Sequence, residues 1–148
     1  MRIATYNING IRARIETLTA WLRLRSPDVV CLQELKCSDD SFPTEALDGL
    51  GYNLLLHGQK SFNGVAILSK SPIELVRRGL PGDDQDEQAR YLEAVVASNN
   101  GAVRVASIYF PNGNPIATPK YDFKLAFMRR LEAHAASLLE LQEPLILA

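Results

Sequence analysis

Two short apolar segments separated by a helical pattern open the chain, and this arrangement constrains the fold more than any other feature. The segments Ile3 to Ile8 and Val29 to Leu32 have the apolar, β-branched composition of buried strands. Between them, up to Pro27, apolar residues recur at helical spacing, namely Ile15, Leu18, Trp21 and Leu22. The right-handed crossover of such a strand-helix-strand unit predicts two parallel, adjacent strands whose carboxyl ends share one sheet edge.

The two strand ends carry side chains that suit a metal ion or a phosphate. Asn7 lies at the end of the first strand, and Glu34 follows the second. We expect both to face one crevice, because ligands bind beyond the carboxyl ends of parallel strands. An ionised carboxylate is the hard oxygen ligand that Mg²⁺ requires. The pair therefore indicates metal-assisted chemistry on phosphate esters, although a lone glutamate at this place is more often a solvated strand end.

The remainder of the chain has the spacing of antiparallel hairpins followed by a helix. Asn99, Asn100 and Gly101 form the clearest tight turn. A helix is predicted from Asp122 to Leu141, with Asp122 as its cap. The final LILA resembles the start of another buried strand. One α+β domain over residues 1–148 is predicted, with further strands at Tyr52 to His57, Gly64 to Ser69, Leu92 to Ser98 and Val103 to Phe110.

Composition excludes several classes of protein. A length of 148 residues with 47% hydrophobic content suffices for one packed core. The net charge of -1 excludes a protein whose whole surface is basic, so any nucleic-acid contact must be a local patch. Cys31 and Cys37, the only cysteines, cannot build a disulfide framework or a four-ligand zinc site. A reduced, cytoplasmic protein without a membrane segment is expected.

Five segments occur in an order that is typical of one enzyme family. They are YNINGIRA, LQELK, HGQKSFNGVAILSK, PGDDQDEQARYLEA and IYFPNGN. Together they resemble the exodeoxyribonuclease III type of AP endonuclease, within the endonuclease, exonuclease and phosphatase superfamily. The resemblance covers a little over half of a typical member. It implies a four-layered α/β/β/α sandwich, of which this chain supplies about the first half.

The resemblance also implies roles for particular residues. Glu34 would hold a divalent ion, Mg²⁺ or alternatively Mn²⁺, and Asn7 would be a ligand or an orienter of ligands. Asn9 stands where some relatives carry Asp, near the metal. Tyr109 would be the active-site tyrosine, acting as a hydrogen-bond donor or in deprotonated form. The residues implied to contact DNA or the substrate phosphate are Arg90, Asn112, Lys60, Lys120 and Lys124.

Each residue taken singly has an ordinary structural explanation. Tyr109 alone fits sheet packing, and Arg90 alone fits a surface beside the acidic run. The asparagines lie near Gly or Pro and fit turns. His57 and His134 show no partner in the sequence, and we expect both to be structural, as we expect Trp21 to belong to the core.

The implied activity is Mg²⁺-dependent cleavage of duplex DNA by a monomer, with water as nucleophile. The bond cleaved would lie 5′ to an abasic site, at a 3′ end in 3′-to-5′ exonuclease action, or both. Two alternatives stay open: a phosphatase acting on a nucleotide, inositol phosphate or phospholipid, and a non-catalytic truncated product that binds DNA or protein. The family's Gly-Asp-x-Asn turn and Ser-Asp-His element are missing from the sequence. We therefore expect a C-terminally incomplete domain, inactive alone, whose partner is the other half of the same fold.

Overall fold

A computed structural model describes residues 1–99 and 101–148. Within these ranges the chain forms eight strands, two α-helices and two short 3₁₀ helices, Asp39–Ser41 and Thr44–Leu47. The helices are α1 (Ile11–Arg25) and α2 (Pro119–Leu139). The strands are β1 (Ile3–Asn7), β2 (Val29–Gln33), β3 (Asn53–His57), β4 (Val65–Ser69), β5 (Ile73–Arg78), β6 (Tyr91–Ser98), β7 (Gly101–Ile108) and β8 (Leu145–Leu147).

The strands build two four-stranded sheets. Sheet A has the order β1-β2-β4-β3, and sheet B has the order β5-β6-β7-β8. β1 and β2 are parallel neighbours, with Asn7 opposite Gln33. β7 and β8 are also parallel, whereas the other neighbouring strands run antiparallel. The predicted parallel pair at the start of the chain is thus confirmed.

Alternating side chains divide the core into layers. Val29 and Cys31 of β2 pack between the two sheets, in one cluster with Leu92 of β6. Val30 and Leu32 point the other way, toward α1. Because both faces of β2 and β4 are covered, every residue of these two strands is buried.

Helix α2 covers the outer face of sheet B. Its Phe127 is fully buried and packs with Tyr91, Ala106 and Ile108 of the sheet. The layers are therefore α1, sheet A, sheet B and α2, as expected from the sequence. This stacking directs the ends of β2 and β7 toward one edge of the sandwich, where Glu34 and Tyr109 follow them.

Several predicted boundaries are wrong. Helix α2 begins at Pro119 after the cap residue Thr118, so Asp122 lies within the first turn and is not the cap. A proline suits the first turn because its fixed φ is already helical. Strand β5 was not predicted, because it lies mostly exposed at a sheet edge and lacks an apolar run. Asn100 of the predicted turn lies outside the described residues.

Candidate active site

Unusual backbone follows β1 and β2 where they reach the edge of sheet A. Asn9, Glu34 and Lys36 have φ values of 49, 58 and 56°. This left-handed region is uncommon for residues other than glycine and is often found at functional sites. The Gly10 amide donates to the carbonyl of Glu34 at 2.7 Å, so the two loops support each other.

The Glu34 carboxylate is engaged through both of its oxygens. Asn7 Nδ2 donates to Oε1 at 2.9 Å, and Lys36 Nζ lies 3.1 Å from Oε2. The same Lys36 ammonium also donates to Asn9 Oδ1. The amide oxygen of Asn7 accepts the backbone N-H of Asn9 at 3.1 Å. In this arrangement Asn7 orients the carboxylate, while the Glu34 and Asn9 oxygens converge on one cationic group.

Tyr109 lies beside this carboxylate and interacts with it electrostatically. Burial tends to raise the pKa of Glu34, but hydrogen bonds from Asn7, Tyr109 and Lys36 outweigh it, and the pKa is lowered. The pKa of Tyr109 is raised, first by burial and then by its hydrogen bond to Glu34. At neutral pH, Glu34 is therefore ionised and Tyr109 is a neutral hydrogen-bond donor.

Arg90 is stacked on Tyr109 and held by several contacts. Its guanidinium carbon lies 4.7 Å from the centre of the tyrosine ring, a cation–π distance. Arg90 Nη1 donates to the Tyr109 carbonyl at 3.3 Å, and Nε donates to Gln88 Oε1 at 2.6 Å. The Tyr109 amide in turn donates to the Arg90 carbonyl at 2.8 Å. A half-buried cation thus stands next to the ionised Glu34.

The other predicted contact residues lie around this cluster. Asn112 and Lys120 line an open cleft that starts at Arg90 and is bounded by the first turn of α2. Lys124 Nζ lies 3.4 Å from the carbonyl of Asn112. Lys60 is exposed on the loop between β3 and β4, outside the hydrogen-bonded cluster. The fold thus brings Asn7, Asn9, Glu34, Tyr109 and Arg90 together, with Asn112, Lys120 and Lys124 beside them.

A buried polar bridge behind the site was missed from the sequence. Ser107 Oγ donates across the sandwich to the carbonyl of Leu32 at 3.0 Å, and Gln33 Nε2 lies 3.3 Å from Ser107 Oγ. Stacked sheets usually lie about 10 Å apart with side chains between them, so this link marks a close approach. The sequence does contain an indication of this bridge, because Gln33 in VVCLQ and Ser107 in VASI are polar residues within otherwise apolar strands.

Lys36 and Gln88 are also residues of the candidate site that were not predicted from the sequence. Lys36 lies two residues after Glu34 in LQELK, and this spacing was its only signal. Gln88 precedes Arg90 by two residues in the acidic loop. Neither residue type is specific enough to have been selected without the fold.

A second polar cluster lies between sheet B and α2. Glu93 is 1% exposed and contacts Arg104 Nη1 at 2.7 Å, the Tyr91 hydroxyl at 2.7 Å and His134 Nε2 at 2.8 Å. His134, which was expected to be structural, thus has Glu93 as a partner that the sequence did not reveal. Its partner is 41 residues away in sequence, and no local pattern reveals such a pairing.

The described residues contain neither a cluster of acidic, histidine and cysteine side chains nor a membrane-spanning helix. Across residues 1–99 and 101–148, three or more His, Cys, Asp or Glu side chains nowhere gather as a metal-binding group. In the same ranges, neither helix combines the length and apolar character needed to cross a bilayer. The cluster around Glu34 instead combines its carboxylate with the amide oxygens of Asn7 and Asn9.

A strand-end carboxylate, a tyrosine and a stacked arginine thus meet at one edge of a two-sheet sandwich. The chain matches the Endonuclease/Exonuclease/phosphatase family over residues 4–148, and it belongs to that family. Exodeoxyribonuclease III from Haemophilus influenzae is 39% identical over 135 residues, which cover 90% of this chain and 51% of that protein. The chain thus spans about half the length of this curated relative.

Two solved structures share the fold. The 3′-5′ exonuclease NExo from Neisseria meningitidis superposes with a TM-score of 0.92 at 35% identity, covering 99% of this chain and 56% of that one. An AP endonuclease from Archaeoglobus fulgidus gives a TM-score of 0.81 at 37% identity, covering 88% of this chain and 49% of that one. The fold and the family expected from the sequence motifs are therefore confirmed.

Proposed function

We propose that the protein is a divalent-metal-dependent DNA repair nuclease. It hydrolyses the phosphodiester 5′ to an abasic site, removes nucleotides 3′ to 5′ from duplex DNA, or does both, with water as nucleophile. The observation that carries the proposal is the cluster in which ionised Glu34 is hydrogen-bonded to the Tyr109 hydroxyl and the Arg90 guanidinium is stacked on the Tyr109 ring. The names of the relatives, an exodeoxyribonuclease, an exonuclease and an AP endonuclease, support DNA as the substrate.

The donor set fits a hard divalent cation. Glu34 Oε2 and Asn9 Oδ1 both contact the Lys36 ammonium, so two oxygens already converge on a point that a cation occupies. Mg²⁺ is usually bound through one or two carboxylates and keeps several waters. We assign Glu34 and Asn9 as the residues that would hold Mg²⁺ or Mn²⁺, and Asn7 as the group that orients Glu34. When bound, such an ion neutralises charge that develops on the phosphate.

The remaining side chains act on the substrate directly. When substrate binds, the neutral Tyr109 hydroxyl donates its one hydrogen bond to a phosphate oxygen in place of Glu34, and the planar fork of Arg90 suits a phosphate contact through two N-H groups. Asn112, Lys120 and Lys124 extend this surface along the DNA backbone, and Lys60 adds a contact from the β3-β4 loop. Such a local basic surface is compatible with a net charge of -1.

The test uses the natural protein isolated from its host and a labelled duplex with one abasic site. Incision is expected with Mg²⁺ and not with EDTA. Metal-independent incision, or no cleavage of abasic or 3′-recessed DNA under either condition, would contradict the proposal. Preferential hydrolysis of a nucleotide, an inositol phosphate or a phospholipid would assign the site to a phosphatase instead.

A matched pair of variants tests the assignment of the metal ligand. Glu34→Ala should abolish metal-dependent turnover, because it removes the carboxylate at the centre of the site. Glu45→Ala removes an exposed carboxylate from a 3₁₀ helix and should leave turnover unchanged. Equal activity of the two variants would remove Glu34 from the site.

A further inference from the structure

The acidic loop between β5 and β6 is anchored to α2 by a buried ion pair. Arg130 Nη2 lies 2.5 Å from Asp86 Oδ2, and these side chains are only 11% and 5% exposed. Arg130 Nη1 also donates to the carbonyl of Leu80 at 3.4 Å. The Arg130 side chain packs over Gly82, where an added Cβ atom would come within 3.2 Å of Arg130 Cγ. The loop is therefore tied to the helix near its start and again at Asp86.

The second oxygen of Asp86 continues the connection toward the candidate site. Asp86 Oδ1 accepts the backbone N-H of Gln88 at 3.1 Å. Gln88 Oε1 accepts Arg90 Nε at 2.6 Å, and Arg90 contacts Tyr109 through its Nη1 and its stacked plane. An unbroken series of hydrogen bonds thus runs from α2 through Asp86 and Gln88 to the guanidinium beside Glu34.

This series determines the plane of the Arg90 guanidinium. Arginine reaches phosphate through a rigid planar fork, so its usefulness depends on the orientation of that plane. Gln88 holds Nε and the Tyr109 carbonyl holds Nη1, and two contacts are enough to define the plane. Gln88 is itself placed by the carboxylate of Asp86. Without Arg130, the Asp86 carboxylate would be buried without its cationic partner. It would then no longer be held in the orientation in which it accepts the Gln88 N-H.

We propose that Arg130 and Asp86 are positioning residues that, through Gln88, hold Arg90 in the orientation in which it binds the substrate phosphate. The phosphate part of this inference rests on the proposed function. The positioning part concerns Arg90 alone and can be measured without metal or DNA. Neither Arg130 nor Asp86 contacts Tyr109 or Glu34 in the hydrogen-bond network described above. Asp86 reaches Arg90 by hydrogen bonds through Gln88 and also by its charge, and Gln88→Met isolates the hydrogen-bonded route.

The experiment compares variants of the series with a matched control. Asp86→Asn and Arg130→Met break the ion pair, and Gln88→Met removes only the last link at a partly exposed position. Arg104→Met is the control, because Arg104 forms an ion pair of similar burial with Glu93 on sheet B and is not part of the series. Two quantities are measured in EDTA: solvent exchange of the Arg90 Nε proton by NMR, and the Kd for a short duplex with an abasic-site analogue.

Asp86→Asn, Arg130→Met and Gln88→Met should each speed exchange of the Arg90 Nε proton about tenfold and raise the Kd for DNA about tenfold. This is the size expected for the loss of one hydrogen bond to a charged group. Arg104→Met should change both less than twofold, and Arg130→Lys should restore part of the loss. If Arg90 exchange is unchanged in Gln88→Met, which removes no buried charge, the positioning proposal is overturned whatever the other variants do. If exchange speeds up while DNA affinity stays constant, positioning stands and the phosphate role of Arg90 fails.

Discussion

Replacing Arg104 with methionine should destabilise the protein by about 3 kcal/mol at neutral pH. Arg104 is the cationic partner of Glu93, a carboxylate with 1% exposure on the face of sheet B that α2 covers. Removing one member of a buried ion pair typically costs about 3–5 kcal/mol, because the other charge stays buried. Glu93 keeps its hydrogen bonds to His134 and Tyr91, which places the expected loss at the lower end. Glu143 also loses Arg104 but is largely exposed, so it adds little.

The loss should depend on pH with a definite sign. Burial tends to raise the pKa of Glu93, but hydrogen bonds from His134, Tyr91 and Arg104 outweigh it, and the pKa lies below its ordinary value. Glu93 therefore stabilises the fold above its unfolded pKa, and this contribution is lost as the pH falls through the lower, folded pKa. Without Arg104 the folded pKa rises, so the difference between the two proteins should shrink as acid protonates Glu93.

Urea unfolding at a series of pH values between 4 and 7 measures the effect. Arg129→Met is the control, since Arg129 is an exposed residue of α2, the helix that covers Glu93. A loss below about 1 kcal/mol at pH 7, or a loss that stays constant across the series, would refute the reasoning, because a buried unpaired carboxylate must produce both effects.

Three further substitutions test the site. Glu34→Gln should weaken Mn²⁺ binding, measured by the EPR signal of the free ion, at least tenfold, with Glu45→Gln as control; equal affinities would contradict Glu34 as ligand. Tyr109→Phe keeps the ring under Arg90 but removes the donor, so kcat should fall about 10²-fold with KM little changed; an unchanged kcat would leave the hydroxyl without a role. Ser107→Ala and Ser69→Ala each remove a fully buried hydroxyl, so each should destabilise the protein by about 1 kcal/mol. Only Ser107→Ala, which breaks the bridge between the sheets, should lower turnover. Equal turnover of the two variants would make the bridge purely structural.

The parts of the fold that could be predicted have local patterns. The apolar, β-branched composition of β1 and β2 and the helical spacing of apolar residues in α1 identified these elements, and the handedness of the crossover then placed Asn7 and Glu34 at one edge. A parallel register brings Asn7 opposite Gln33, one residue from Glu34, so the Asn7-Glu34 contact follows from topology. The family motifs added Tyr109 and Arg90, which directly flank strands of sheet B and are distant from Glu34 in sequence.

The parts that could not be predicted depend on pairs distant in sequence. Ser107 reaches Leu32 over 75 residues, and Arg130 reaches Asp86 over 44. The residue types involved are common and do not indicate which distant residue each will contact. The partner is determined only when the two sheets and α2 pack. The same holds for β5, whose exposed edge position requires no hydrophobic pattern.

Lys36 contributes, after Asn7 and Tyr109, to keeping the Glu34 carboxylate ionised within a partly buried crevice. The side chain of Glu34 is only 18% exposed, and burial alone would raise its pKa. The ammonium of Lys36 supplies the compensating charge and is shared with the Asn9 oxygen. A divalent ion held by Glu34 and Asn9 would use the same two oxygens, so its binding has to displace this ion pair. The measured metal affinity therefore equals the free energy of binding the divalent ion less the free energy of displacing the Lys36 ammonium. A variant that removes Lys36 without changing the oxygens separates the two contributions.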